Sequence, residues 1–144
     1  MNFSDFITDS GKRVSREHYI HLVQVSRADG KINPSELELL HREGRKFGLT
    51  DPEVDKLIES EIRHNYNPPY SLREKFEHLY NVAQMILADD VITEGETRMI
   101  KRFAIEAGFS DKAIPKLIDL LFAGIRKGDD EEKMFKAYTK IHFL

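Results

Sequence analysis

Ala28-Asp29-Gly30-Lys31-Ile32-Asn33-Pro34-Ser35-Glu36 decides how this chain is read, because the sequence writes it twice. Sixty positions on stands Ala88-Asp89-Asp90-Val91-Ile92-Thr93-Glu94-Gly95-Glu96, with Ala, Asp, Ile and Glu in matching places. The match continues without a gap: Gln24 with Gln84, Arg42 with Arg102, Gly48 with Gly108, Asp51 with Asp111, and Lys56-Leu57-Ile58 with Lys116-Leu117-Ile118. A repeat at one fixed offset marks an internal duplication, and two copies imply a compact pseudo-symmetric domain rather than an extended solenoid.

Each copy reads as helices separated by strong punctuation. In the first, Tyr19, Leu22, Val23 and Ser26 recur at helical spacing over residues 16–28, with Ser15 as cap. Asn33, Pro34 and Glu36 then supply cap, first position and capping-box acid for a second helix. Leu37, Leu40, Gly44 and Phe47 line its inner side, and Gly48 closes it. Thr50 and Glu53 open a third helix to about residue 63, with Val54, Leu57, Ile58 and Ile62 inward. Pro68-Pro69 forbids helix through the linker at 64–70.

Ser71 restarts helix to about residue 88, and the apolar run from Leu79 places that helix at the centre of the molecule. Thr93 and Glu96 repeat the capping box, with Ile100, Phe103, Ala104 and Ala107 behind it. Ser110-Asp111 opens the next helix, and Pro115 implies a late start or a distorted first turn. Asp129 and Glu132 start a last helix carrying Met134, Phe135, Tyr138 and Ile141. No segment alternates with period two, so the expected fold is all-α: about seven helices in one bundle, with repeat one at 15–63, repeat two at 71–127 and a C-terminal helix at 130–143. Phe3, Phe6 and Ile7 form a short docking segment, and Asp9-Ser10-Gly11 breaks it.

Composition narrows the function classes. At 144 residues the chain closes one sizeable core, and 40% apolar with 33% charged residues is a soluble balance. A net charge of -3 gives no electrostatic reason to bind nucleic acid. No apolar run is long enough for an integral membrane segment, and the absence of cysteine excludes disulfides and thiolate metal sites. Residues 1–5 carry neither the positive start nor the apolar block of a secretion signal, so a cytoplasmic location is expected. Ser10-Gly11-Lys12 lacks both the earlier glycine and the following Ser/Thr of a phosphate loop.

The duplicated turn carries the one concentration of candidate chemistry. Asp29-Gly30-x-Ile32-x-x-x-Glu36 has the rear half of a calcium-binding EF-hand loop, but the front ligand positions fall on Val25 and Arg27, and in copy two on Met85 and Leu87. An ordinary EF-hand is therefore excluded. Helix punctuation accounts for both glutamates at the third helical position, where a carboxylate reaches back to the cap and favours the positive helix end. The competing reading is a cation site. If the two turns meet, Asp29, Glu36, Asp89, Glu96, Asp90 and Glu94 face one another, and such a cluster either binds a hard cation or carries raised pKa values.

The twice-written Ala-Asp-(Gly)-x-Ile-x-x-x-Glu, with Gly-(Leu/Phe)-(Thr/Ser)-Asp closing the helix that follows, resembles the TerB family, from about Tyr19 to Ile125. That resemblance implies an all-helical, non-enzymatic domain associated with tellurite resistance and stress responses, with relatives at the start of some membrane-anchored DnaJ-type co-chaperones. It implies a divalent-cation site (calcium, magnesium or manganese) at Asp29, Glu36, Asp89 and Glu96. The chain departs from the family at Asp90, where glycine is expected, leaving the second turn's affinity open in either direction.

Two other readings stand beside it. A metal-free protein-interaction module would use the linker at 64–70 or the N-terminal segment to contact a protein partner. A carboxylate-bridged metal enzyme would use Glu38-x-x-His41 or Glu61-x-x-His64, but Glu38 lies about 135° from its helix's apolar stripe and points to solvent. Glu61 falls on the apolar side, where an arginine partner or a frayed helix end would accommodate it. Glu17, His18 and His21 could chelate a metal from one helix face, but surface histidines at this spacing read as incidental.

Overall fold

The computed structural model describes residues 6–7, 13–14, 16–26, 32–61, 64–87 and 92–142. Within them run β1 (Phe6–Ile7), β2 (Arg13–Val14), α1 (Arg16–Ser26), α2 (Pro34–Arg45), α3 (Asp51–Ser60), α4 (Leu72–Ile86), α5 (Glu94–Glu106), α6 (Ile114–Lys127) and α7 (Glu131–His142). Seven helices agree with the all-α expectation. Beside them Phe6 pairs with Val14 and Ile7 with Arg13, an antiparallel bridge of two residues a side whose second strand lies against α4, too short to alter that class. Asp9-Ser10-Gly11, Phe3, Ser15 and Ile62 lie outside the described residues.

Local chemistry sets the helix limits. Asn33, Thr50 and Thr93 each close a full capping box with Glu36, Glu53 and Glu96, and Ser71 caps α4 through the Glu74 amide. Gly48 and Gly108 have φ of 82° and 99°, a left-handed conformation that L side chains avoid. Beside them the Leu49 amide donates to the Gly44 carbonyl and the Phe109 amide to the Ala104 carbonyl, both at 3.1 Å, so α2 and α5 end in the same way. Pro115 gives α6 its late start at Ile114, without a side-chain cap. The last helix is capped by Asp130, whose Oδ1 accepts from the Lys133 amide, rather than by Asp129.

α4 is the central element. From Leu79 to Ile86 only Asn81 is not buried, and the helix touches α1, α5, α6 and α7. That surround explains its nearly all-round apolar sequence. Tyr19, Phe76 and Phe103 are the largest fully buried side chains. No helix among the described residues is long and apolar enough to cross a membrane.

Candidate functional site

The helices that begin at the two glutamate motifs, α2 and α5, pack against each other. At the start of α2, Asn33 Oδ1 accepts from the Glu36 amide at 2.8 Å, and Glu36 Oε1 accepts from the Asn33 amide at 3.4 Å. The other oxygen, Glu36 Oε2, accepts from Arg102 Nη1 on α5 at 2.8 Å. At the start of α5, Glu96 Oε1 accepts from the Thr93 amide at 3.1 Å and lies 3.8 Å from Arg42 Nη1 on α2. The two ion pairs are thus related by a shift of sixty positions, Glu36 matching Glu96 and Arg42 matching Arg102, with roles exchanged. Each glutamate starts one of the two helices and its arginine comes from the other.

Of the six carboxylates that the sequence places at the two turns, Asp29, Asp89 and Asp90 lie outside the described residues and Glu94 is exposed. Glu36 and Glu96 are positioned as caps facing guanidinium groups, which is poor chemistry for a cation ligand. Among the described residues no three His, Asp or Glu side chains are grouped so as to hold a metal ion. A cavity of about 390 Å³ opens beside the corner, lined in part by Ser26, Asn33, Glu36, Gly95, Arg98 and Arg102.

A buried acid that the sequence reading passed over sits at this junction. Glu43 and Glu96 are both 0% exposed, and their carboxyl groups meet between α2 and α5. The Lys46 ammonium lies 2.6 Å from Glu43 Oε2 as an ion-pair contact without hydrogen-bond alignment, and it donates to the Met85 carbonyl at 2.6 Å. Burial, reinforced by Glu96 and opposed by Lys46, pushes the Glu43 carboxyl up to about 8. Burial thus favours the protonated form of Glu43 at neutral pH. A signal for it existed: Leu40, Glu43, Gly44 and Phe47 follow one helical stripe, and the residue matching Glu43 in copy two is the buried Phe103.

The other sequence candidates separate clearly. Glu38 is exposed, as its helix angle requires. Glu61 caps the end of α3, accepts from Gln24 Nε2 at 2.8 Å and lies 3.4 Å from His64 Nδ1, so its partners are a glutamine and a histidine rather than an arginine. The surface reading of the α1 histidines is wrong. His18 is 8% exposed, and its ring packs edge-on to His21 and His78 with centroids 5.8 and 5.5 Å away.

The Glu36–Arg102 pair makes a limited contribution because both side chains are partly solvated. A cycle of Glu36→Gln and Arg102→Met, followed by urea unfolding, should give a coupling of about 0.5–1 kcal/mol. A coupling of zero would reduce the pair to a coincidence of packing.

No protein-family model matches the chain, and no characterised protein or solved structure matches it. The TerB resemblance therefore rests on the duplicated motif alone.

Proposed function

We propose that the chain is a non-enzymatic helical module of TerB type, built by duplication, that works by contacting a protein partner. The observation that carries this reading is the pairing of Glu36 with Arg102 and of Glu96 with Arg42. Those contacts make the acidic corners a clasp between copies. Under a two-fold axis, a residue on the axis meets its own counterpart, and every off-axis contact recurs with roles exchanged. His18 beside His78, its match sixty positions on, fits the first condition. The two glutamate–arginine pairs fit the second. A pseudo-two-fold bundle is the arrangement these contacts support.

The contact surface we assign is the linker at 64–70. Tyr66 anchors one end on Phe103, with ring centroids 5.0 Å apart, and Ser71 caps α4 at the other. Between them Asn67 and Pro68 are exposed, and Tyr70 is a fully exposed large aromatic. A segment fixed at both ends and restricted by two prolines loses little entropy on docking. The resemblance to the TerB family adds an association with stress response and tellurite resistance, and we place the module in the cytoplasm.

Divalent-cation binding is the second reading, and one observation favours it: Glu96 Oε2 is buried with no hydrogen-bond donor. Two measurements separate the readings. Affinity capture should retain a partner on the wild-type chain and lose it with Tyr70→Ala. Calorimetric titration with calcium, magnesium, manganese and zinc should give no heat. A partner held equally by Tyr70→Ala refutes the linker's role. Ion-binding heat abolished by Glu36→Ala and Glu96→Ala would restore the cation.

A further inference from the structure

The described part of the chain gathers three imidazoles in one place, His18 buried and His21 and His78 partly so, and the partner-contact reading uses none of them. His18 and His21 come from α1 and His78 from α4. His21 stacks on His78 with centroids 4.7 Å apart and planes 21° from parallel. Tyr66 leans on His21 at 5.3 Å, and a 3.0 Å hydrogen bond joins its Oη to His78 Nδ1. The Nδ1 atoms of His18 and His21 are buried without a hydrogen-bond partner. Stacked rings cannot aim their in-plane lone pairs at one point, so the cluster is not arranged to hold a metal ion.

We propose that this histidine cluster is an acid-sensitive latch, which seats Tyr66 and the linker behind it while the three imidazoles are neutral and lets them go when the rings take up protons. The latch concerns release of the segment and holds whether or not the linker has a partner.

The groups acting on the cluster set its direction. Burial lowers the pKa of all three rings, and the imidazoles' mutual repulsion adds to this for His18 and His21. Glu17 on α1, 3.8 Å from His21 Nε2, and Glu74 and Glu77 on α4 pull the other way. The α5 side chain beneath Tyr66 is Phe103, which does not titrate. Burial wins, bringing His18 and His21 down to about 4. In an opened segment each ring would regain its ordinary value near 6.5, so protons favour the open form from about pH 6.5 downward. The closed-to-open ratio should fall by about 20-fold for each of these two histidines between pH 7 and pH 5.

Aromatic proton–carbon NMR of the full chain tests this. The Tyr66 ring signals, shifted at pH 7 by the surrounding rings, should move to free-tyrosine positions between pH 6.5 and 4, while those of the core Tyr19 stay in place. In His18→Leu/His21→Phe, which keeps the apolar volume and removes two titrations, Tyr66 should stay seated over the same range. The latch is refuted if Tyr66 leaves only when Tyr19 also does, or if the double variant releases it at the wild-type pH. Should the variant fail to fold, the wild-type histidine signals decide alone. Titration coinciding with Tyr66 release supports the latch, and titration near pH 6.5 with Tyr66 still seated overturns it.

Discussion

Gly44→Ala should destabilise the protein by about 2–4 kcal/mol, although alanine is the better helix former by about 0.5–1 kcal/mol. A Cβ on Gly44 would stand 2.5 Å from Val54 Cγ2 and 2.8 Å from Tyr19 Oη. Neither neighbour can yield easily, since Val54 and Tyr19 are fully buried and the tyrosine hydroxyl donates to the Leu40 carbonyl at 2.7 Å. Overpacking of this kind costs about 1–3 kcal/mol, and a displaced buried hydroxyl adds about 1–3 kcal/mol. For a chain of this size the melting temperature should fall by about 10 °C.

Gly95→Ala is the matched control. Its Cβ would meet only the tip of Leu39, a half-buried side chain that can swing aside, so its effect should be small. The duplication supplies a rescue. Copy two holds Leu79 and Ala104 where copy one holds Tyr19 and Gly44, so a smaller partner accompanies the larger residue at the helix position. Tyr19→Leu combined with Gly44→Ala should lose clearly less than the sum of the single changes. An additive double variant, or a Gly44→Ala chain as stable as wild type, would show that the close approach does not constrain the core.

The helices were legible because their ends are chemically loud. Three capping boxes and two closing glycines fixed α2, α3 and α5, and the apolar run from Leu79 placed α4 at the centre. Each signal acts within a few residues of itself, which is why it reads out of sequence alone. The site was legible only in part. Glu36 and Glu96 were found, but their arginines were not, because those contacts cross from one helix to another. Glu43 was missed because an acid on an apolar stripe looks like an exposed neighbour until Lys46 and Glu96 are seen to surround it. His18 and His21 were misjudged for the same reason: His78 packs on both rings and Tyr66 on His21, from two distant segments. The matching position of His78 sixty residues after His18 was the available hint. The two-residue strand pair left no periodic signal at all.

Glu43→Gln should change how stability depends on pH more than it changes stability at any single pH. In the wild type the carboxyl pKa is raised from 4.5 to about 8 on folding, so the native state binds more protons than the unfolded chain between those values. Stability from this group is present in full below about pH 4.5 and is lost as pH rises through about 8. Glutamine mimics the protonated acid in shape, keeps a donor toward Glu96 and does not titrate. Near pH 5 the variant and wild type should therefore be of similar stability. By pH 8.5 glutamine should lead by on the order of 2–4 kcal/mol.

The histidine cluster works in the opposite sense: its lowered pKa values remove stability as pH falls from about 6.5 toward 4. Urea unfolding of both chains at pH 5, 7 and 8.5 separates the two, because the histidine contribution is common to both chains and cancels in their difference, whereas the advantage of Glu43→Gln should grow at each step from pH 5 to 8.5. Lys46 gives the result its interpretation. If the ammonium 2.6 Å from Glu43 kept the carboxylate ionised, removing that charge would strand a buried cation and cost about 3–5 kcal/mol at every pH. A uniform loss with no alkaline gain would mean an ion pair between α2 and α5 and would exclude a protonated Glu43.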